Sequence, residues 1–198
     1  MKKSAIALAL VTTAGFATQA SARDTVSYDY IGANYMQVEI DDVADNFEPD
    51  GYEVRGSFQF ENNLFVEASY SDLNDDITLD ETDSDVDYDV SYRLAGIGYA
   101  WDLGSPRNSL YVSGGYADVE IGDASEDGYY LSAGVRSMLT PSIEGQLGAK
   151  HIDVGDDYDT TGAVASLAFF LTDALDIRAS YTHENNGSIA SLGLNFNF

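Results

Sequence analysis

Alternation with a period of two dominates this chain. Tyr52, Val54, Gly56, Phe58 and Phe60 alternate with Glu53, Arg55, Ser57 and Gln59. After Glu61-Asn62-Asn63, Leu64, Val66, Ala68 and Tyr70 alternate with Phe65, Glu67, Ser69 and Ser71. The last eight residues repeat the pattern: Leu192, Leu194, Phe196 and Phe198 against Ser191, Gly193, Asn195 and Asn197. Successive strand side chains point to opposite faces, so each segment has one apolar and one polar face. A soluble domain rarely ends on such a strand, because its termini are usually frayed and polar. A strand with lipid on one side and a polar interior on the other has this sequence.

The rest of the chain narrows the fold class. Lys2 and Lys3 precede an apolar stretch from Ala5 to Ala17, and Ala20-Ser21-Ala22 has the small residues of a cleavage site. Residues 1–22 are therefore expected to be a signal peptide and 23–198 the mature domain. The apolar stretch is too short for a spanning helix, and no run of 18 apolar residues follows it. A bilayer protein without such helices has to close its strands into a barrel, so that every backbone polar group finds a partner. The predicted fold is an all-β transmembrane antiparallel up-and-down β-barrel of about ten strands, with eight as the alternative. The strands are expected at 26–40, 51–60, 64–73, 87–101, 109–120, 128–139, 143–152, 161–171, 175–183 and 188–198.

The connectors alternate in character. Residues 61–63, 102–108, 140–142 and 172–174 are short or weakly charged, which suits periplasmic turns. Residues 41–50, 74–86, 121–127 and 153–160 are mostly longer and acidic, and 184–187 is short; these are the expected extracellular loops. The chain has 34 acidic and nine basic residues. Without Lys2 and Lys3 that leaves seven basic residues and a net charge of −27 (7 − 34). Nucleic acid is excluded as a partner by such a charge.

Alternation also places the few cations. Arg55, Arg136, Lys150 and Arg178 fall on polar faces of four strands, with Glu53, Glu67 and Glu144. A lipid-facing Arg or Lys at mid-bilayer costs ~2–4 kcal/mol, so these seven residues belong in the lumen. They read either as a polar plug or as an anion-selective path. A barrel of ten strands is little wider than one of eight, whose interior side chains just fill, which favours the plug. Arg93 stays open: it shares parity with Ile97, Tyr99 and Trp101, so all four point inward, or all four point outward with Arg93 near the upper headgroups, or a β-bulge near Ala95-Gly96 separates them.

The acidic segments carry Asp83, Asp85, Asp87, Asp156, Asp157 and Asp159, suited to weak, nonspecific screening by Ca²⁺ or Mg²⁺. The Asp83-x-Asp85-x-Asp87 run fails as a calcium loop, because Tyr88 stands at the position that needs Gly and Leu94 at the one that needs Glu. No specific metal or cofactor is expected. The chain has no Cys, Gly-rich phosphate loop, zinc-ligand spacing or nucleophile elbow. His151 and His183 lack the Asp-x-His spacing of the barrel proteases, so no enzyme is expected.

The signal segment, the Tyr28-x-Tyr30-Ile31-Gly32-Ala33 stretch, the Tyr130–Ser137 stretch through Pro141 to Gly145 and the Phe196-x-Phe198 ending resemble the small Gram-negative outer-membrane β-barrel proteins, often labelled porin-like. The resemblance implies an outer-membrane location. It also implies that Phe198, Phe196 and Leu194 act as a signal read by the barrel-assembly machinery. Outer-membrane lipid and lipopolysaccharide are the expected surroundings, and a monomer the expected state. Three roles follow: a structural or surface-interaction barrel with a filled lumen, a narrow diffusion channel, or a loop-mediated adhesin.

Overall fold

The computed structural model describes residues 23–40, 49–79, 84–122, 124–155, 158–185 and 187–198, without the side chains of 75–79, 84–88 and 158. The expected signal peptide, and Asp83, Asp156 and Asp157, lie outside these residues.

Ten antiparallel strands close into one barrel. They are β1 (Tyr30–Ile40), β2 (Asp50–Gln59), β3 (Leu64–Leu79), β4 (Ser84–Asp102), β5 (Asn108–Ile121), β6 (Ala124–Thr140), β7 (Ile143–Val154), β8 (Tyr158–Phe170), β9 (Leu175–Glu184) and β10 (Gly187–Asn197). Each pairs with its sequence neighbours, and β1 pairs with β10 from Tyr30↔Asn197 to Ile40↔Gly187. The terminal strand is thus the closing strand, and no sheet edge is left open.

Parity sorts the side chains as the alternation requires. Val54, Phe58, Ile97, Val112, Leu131, Leu147, Leu167, Leu194 and Phe196 are exposed on the outer wall. Asn34, Ser57, Ser71, Ser113, Arg136, Glu144, Ser166, Asp176, Arg178 and Asn195 are buried inside. The turn end holds residues 23–29, the C-terminal Phe198 and the four short turns. One of these turns places Asn63 at φ 66°, a left-handed conformation that Asn tolerates well.

Three features differ from the sequence expectation. First, β1 begins at Tyr30 rather than Val26. Residues 23–29 leave the wall and cross the mouth at the turn end, because Val26 and Tyr28 find apolar partners inside. Second, the strands run on past the expected loop boundaries: β3 and β4 stay paired to Leu79↔Ser84 and β5 and β6 to Ile121↔Ala124. Antiparallel hydrogen bonding does not stop where the bilayer ends, so charged sequence here extends the ladder instead of forming loops. Third, no register shift interrupts β4 near Ala95-Gly96. Arg93, Ile97 and Trp101 all face outward. Among the described residues, the register shifts between Met138 and Thr140.

Candidate functional site

The site is the lumen, built from the turn end upward. At the base of the mouth, the Arg23 N–H donates to the Pro141 carbonyl at 3.0 Å and the Val26 N–H to the Pro106 carbonyl at 2.9 Å. Val26 packs between two buried groups on opposite parts of the wall. One contains Phe65, Ala100 and Tyr111, the other Met138, Ala168 and Phe170. Asp29 returns the segment to the wall, with its carboxylate accepting the Gln59 N–H at 2.7 Å.

Tyr28 is the centre of this closure. Its ring stacks on Phe65 with centroids 4.7 Å apart and planes 17° apart, and the Arg136 guanidinium lies 4.5 Å from its centroid. Its hydroxyl shares a 3.1 Å hydrogen bond with Ser109. Phe65 reaches inward because Gly98 faces it; a Cβ at Gly98 would collide with the Phe65 ring. Gly96 makes the same room for the Tyr130 hydroxyl.

Arg136 continues the network along the wall. Its Nε and Nη2 donate to Glu144 Oε1 at 3.1 and 2.8 Å, and Nη2 also reaches Oε2 at 3.0 Å. Arg178 Nη2 donates to the same Oε1 at 3.0 Å. Glu144 is 2% exposed, Arg136 5% and Arg178 6%. Two buried cations share one carboxylate, and Asp176 stands 3.7 Å from Arg178 Nε. Asp176 also accepts from Asn195 and Asn197, each at 2.8 Å, which fastens the polar face of the closing strand.

Above this layer lies a cavity of about 230 Å³, with Tyr28, Phe65, Tyr111 and Arg136 at its lower end and Thr182 and Glu184 at its upper end. Arg55, Glu53, Glu67, Lys150 and Arg178 line it. Asn34 donates to Glu53 at 2.6 Å, Tyr130 to Glu67 at 2.8 Å and Gln146 to the Tyr111 hydroxyl at 2.8 Å. Arg55 Nε is 3.9 Å from Glu53 and Lys150 Nζ 6.0 Å from the Tyr130 ring centroid. Towards the loop end the β4–β7 wall turns apolar, with Ala117, Val119, Ile152 and Val154 buried against Tyr92 and Leu94.

The seven charged residues expected inside therefore all lie at the inner wall. The structure joins Arg136, Arg178 and Glu144 in one cluster and spreads Arg55, Lys150, Glu53 and Glu67 around the cavity. Sequence reasoning missed Tyr28, Phe65 and Asp176. One signal was available: Phe65 sits on the face otherwise occupied by Glu67, Ser69 and Ser71.

Outside the wall, Arg93 donates to Asp118 at 3.0 Å and Glu120 at 2.8 Å. The Tyr52 and Tyr70 hydroxyls donate to Asp72 at 3.2 and 3.0 Å. Arg93 is thus matched by carboxylates of its own wall. Phe198 stacks near Phe58 at 6.4 Å on the outer surface at the turn end, beside exposed Phe196 and Leu194. Asp85 and Asp87 fall on the upper part of β4, opposite Thr78 and Asp76. Asp159 is exposed, 3.5 Å from His151 Nδ1. Among the described residues, no group of three His, Cys, Asp or Glu side chains is arranged to hold a metal.

The family described as outer membrane protein beta-barrel domain matches residues 7–198. No relative is found among curated protein sequences. Among solved structures, the chain is similar to the KdgM porin in complex with disordered oligogalacturonate, at 7% identity and TM-score 0.50 over 85% of this chain and 99% of that one. It is similar to an outer membrane channel of Pseudomonas putida F1, at 15% identity and TM-score 0.50 over 88% and 97%. It is also similar to OprG of Pseudomonas aeruginosa, at 12% identity and TM-score 0.48 over 91% and 98%. At these identities the likeness concerns the fold.

Proposed function

Because this chain belongs to the outer membrane protein β-barrel family, we propose that it serves the cell envelope as a barrel sealed at its periplasmic end, in a structural or surface-interaction role. It resides in the outer membrane. The turn end faces the periplasm and the acidic loop end the exterior, following the usual asymmetry of short periplasmic turns. The observation that carries the reading is the continuous run of contacts Phe65–Tyr28–Arg136–Glu144–Arg178 at the periplasmic mouth. A diffusion pathway needs a hydrated bore from end to end. Here Tyr28, stacked on Phe65 and set against the ion cluster of the β6–β9 wall, occupies the level that such a bore would have to cross. The polar side chains of the lumen act as a plug, and the barrel works through its outer wall and outer rim.

The surroundings follow from the same assignment. Lipid meets the apolar wall, and lipopolysaccharide meets the ring of tyrosines and carboxylates that includes Tyr52, Tyr70, Asp72 and Glu120. Divalent cations screen the acidic rim without a dedicated site. The barrel acts as a monomer in this reading, its exposed apolar wall in contact with lipid. The seal is tested by conductance of the folded protein in a planar bilayer: silence is the expected result.

Phe198, Phe196 and Leu194 form the sorting face read by the assembly machinery. Their exposure on the outer wall of the closing strand supports this role. Deleting Phe198 is expected to lower the yield of heat-resistant, membrane-inserted barrel severalfold in cells. Normal yield and normal gel mobility of the folded form would remove the assignment.

A further inference from the structure

We infer that residues 23–29 are a displaceable latch, and that Tyr28 is what holds the periplasmic mouth of the sealed barrel shut. The inference rests on the sealed-barrel reading above and adds a conformational device to it. Every strand of the wall is hydrogen-bonded along both edges, so no strand can leave without breaking the barrel. Residues 23–29 are different. They cross the mouth with backbone bonds from Arg23 and Val26 to the Pro141 and Pro106 carbonyls of the turns, and only at their end, where the Asp29 carbonyl accepts the Phe198 N–H at 3.4 Å, do they meet a wall strand. The Asp24–Arg107 pair, at 3.5 Å with the Asp24 side chain 81% exposed, adds little in water. What holds the segment is Arg23 over the Phe170 ring, Val26 between its two apolar groups, Tyr28 between Phe65 and Arg136 with its hydroxyl on Ser109, and at the hinge Asp29 on the Gln59 N–H.

The wall behind the latch is already suited to water. Arg136, Glu144, Arg178 and Asp176 form their ion pairs along β6, β7 and β9 without Tyr28. The cavity above is lined by charged and apolar side chains in similar measure, Arg55, Glu67 and Lys150 beside Met36, Leu94 and Val164. Arg55 and Arg178 line it, and their buried Nε atoms make no hydrogen bond among the described residues, each with only a carboxylate at 3.9 or 3.7 Å nearby. Withdrawing Tyr28 removes the ring that links β3 to β6 across the mouth. The cavity then opens to the periplasm beside a charged, hydratable wall. Closure and opening thus differ by one short segment, as in other switches built on an element that is ordered or released.

The test compares three folded barrels in planar bilayers: the unaltered protein, Tyr28→Ser, and a deletion of residues 24–28 that keeps Asp29 and its bond to Gln59. Heat-resistant gel mobility confirms that each is folded. The unaltered barrel should be silent or open only rarely. Both variants should show stable unitary steps, with Tyr28→Ser raising open probability roughly tenfold or more, the shift expected for losing a ring stack and a cation–π contact together. Folded variants as silent as the parent would overturn the latch and leave the sealed barrel standing. A parent that conducts as well as both variants would overturn the latch and the seal together.

Discussion

Replacing Glu144 by alanine is expected to cost the folded barrel about 3–5 kcal/mol, the penalty for removing one partner of a buried ion pair. Glu144 takes four hydrogen bonds from Arg136 and Arg178, and the three side chains are at most 7% exposed. Without the carboxylate, two guanidiniums remain buried on one wall, repelling each other and lacking acceptors. Asp176 compensates only in part, because it is 3.7 Å from Arg178 Nε and already accepts from Asn195 and Asn197. Urea unfolding of the barrel in lipid vesicles measures the loss. Combining Glu144→Ala with Arg136→Met should recover part of it, since the double change removes one stranded charge along with its partner. A loss below about 1 kcal/mol, the range of an exposed pair, would mean that water reaches the cluster freely and that no plug exists at this level.

Leu147→Arg is expected to cost ~2–4 kcal/mol, the price of a lipid-facing cation near mid-bilayer. Leu147 is 63% exposed, opposite Val135 on β6 and Ala165 on β8, in an outer band with Leu131 and Leu167. Lys150 stands three residues further along the same strand, but it faces the cavity. The contrast isolates the direction of the side chain from its identity. The same unfolding measurement applies, and a loss below about 1 kcal/mol would place Leu147 outside the hydrocarbon band.

The strand pattern was legible because lipid and lumen impose opposite demands on alternate residues. Glu53, Arg55 and Ser57 point in while Tyr52, Val54 and Phe58 point out, so the ten strands and their faces follow from parity. The pairing inside was less legible. Parity puts Arg136, Glu144 and Arg178 in the lumen, but Glu144 and Arg178 stand on β7 and β9, and only strand tilt and register bring them together. The latch was hidden for a different reason. Val26 and Tyr28 continue the alternation that Tyr30 begins, so the early segment reads as strand throughout. What ends the strand at Tyr30 is a partner contributed from elsewhere in the chain, Phe65, which needs the open face of Gly98 to turn inward. Arg93 remained open because both carboxylates that satisfy it lie on the neighbouring strand.

The sealed periplasmic mouth is the central claim, and single-channel recording of the unaltered folded barrel tests it most directly. The expected record is a flat baseline at moderate voltage with at most rare, brief openings. Sustained unitary steps from the unaltered protein, reduced by Arg55→Ala at the cavity wall, would contradict the seal and make the lumen a conducting pore.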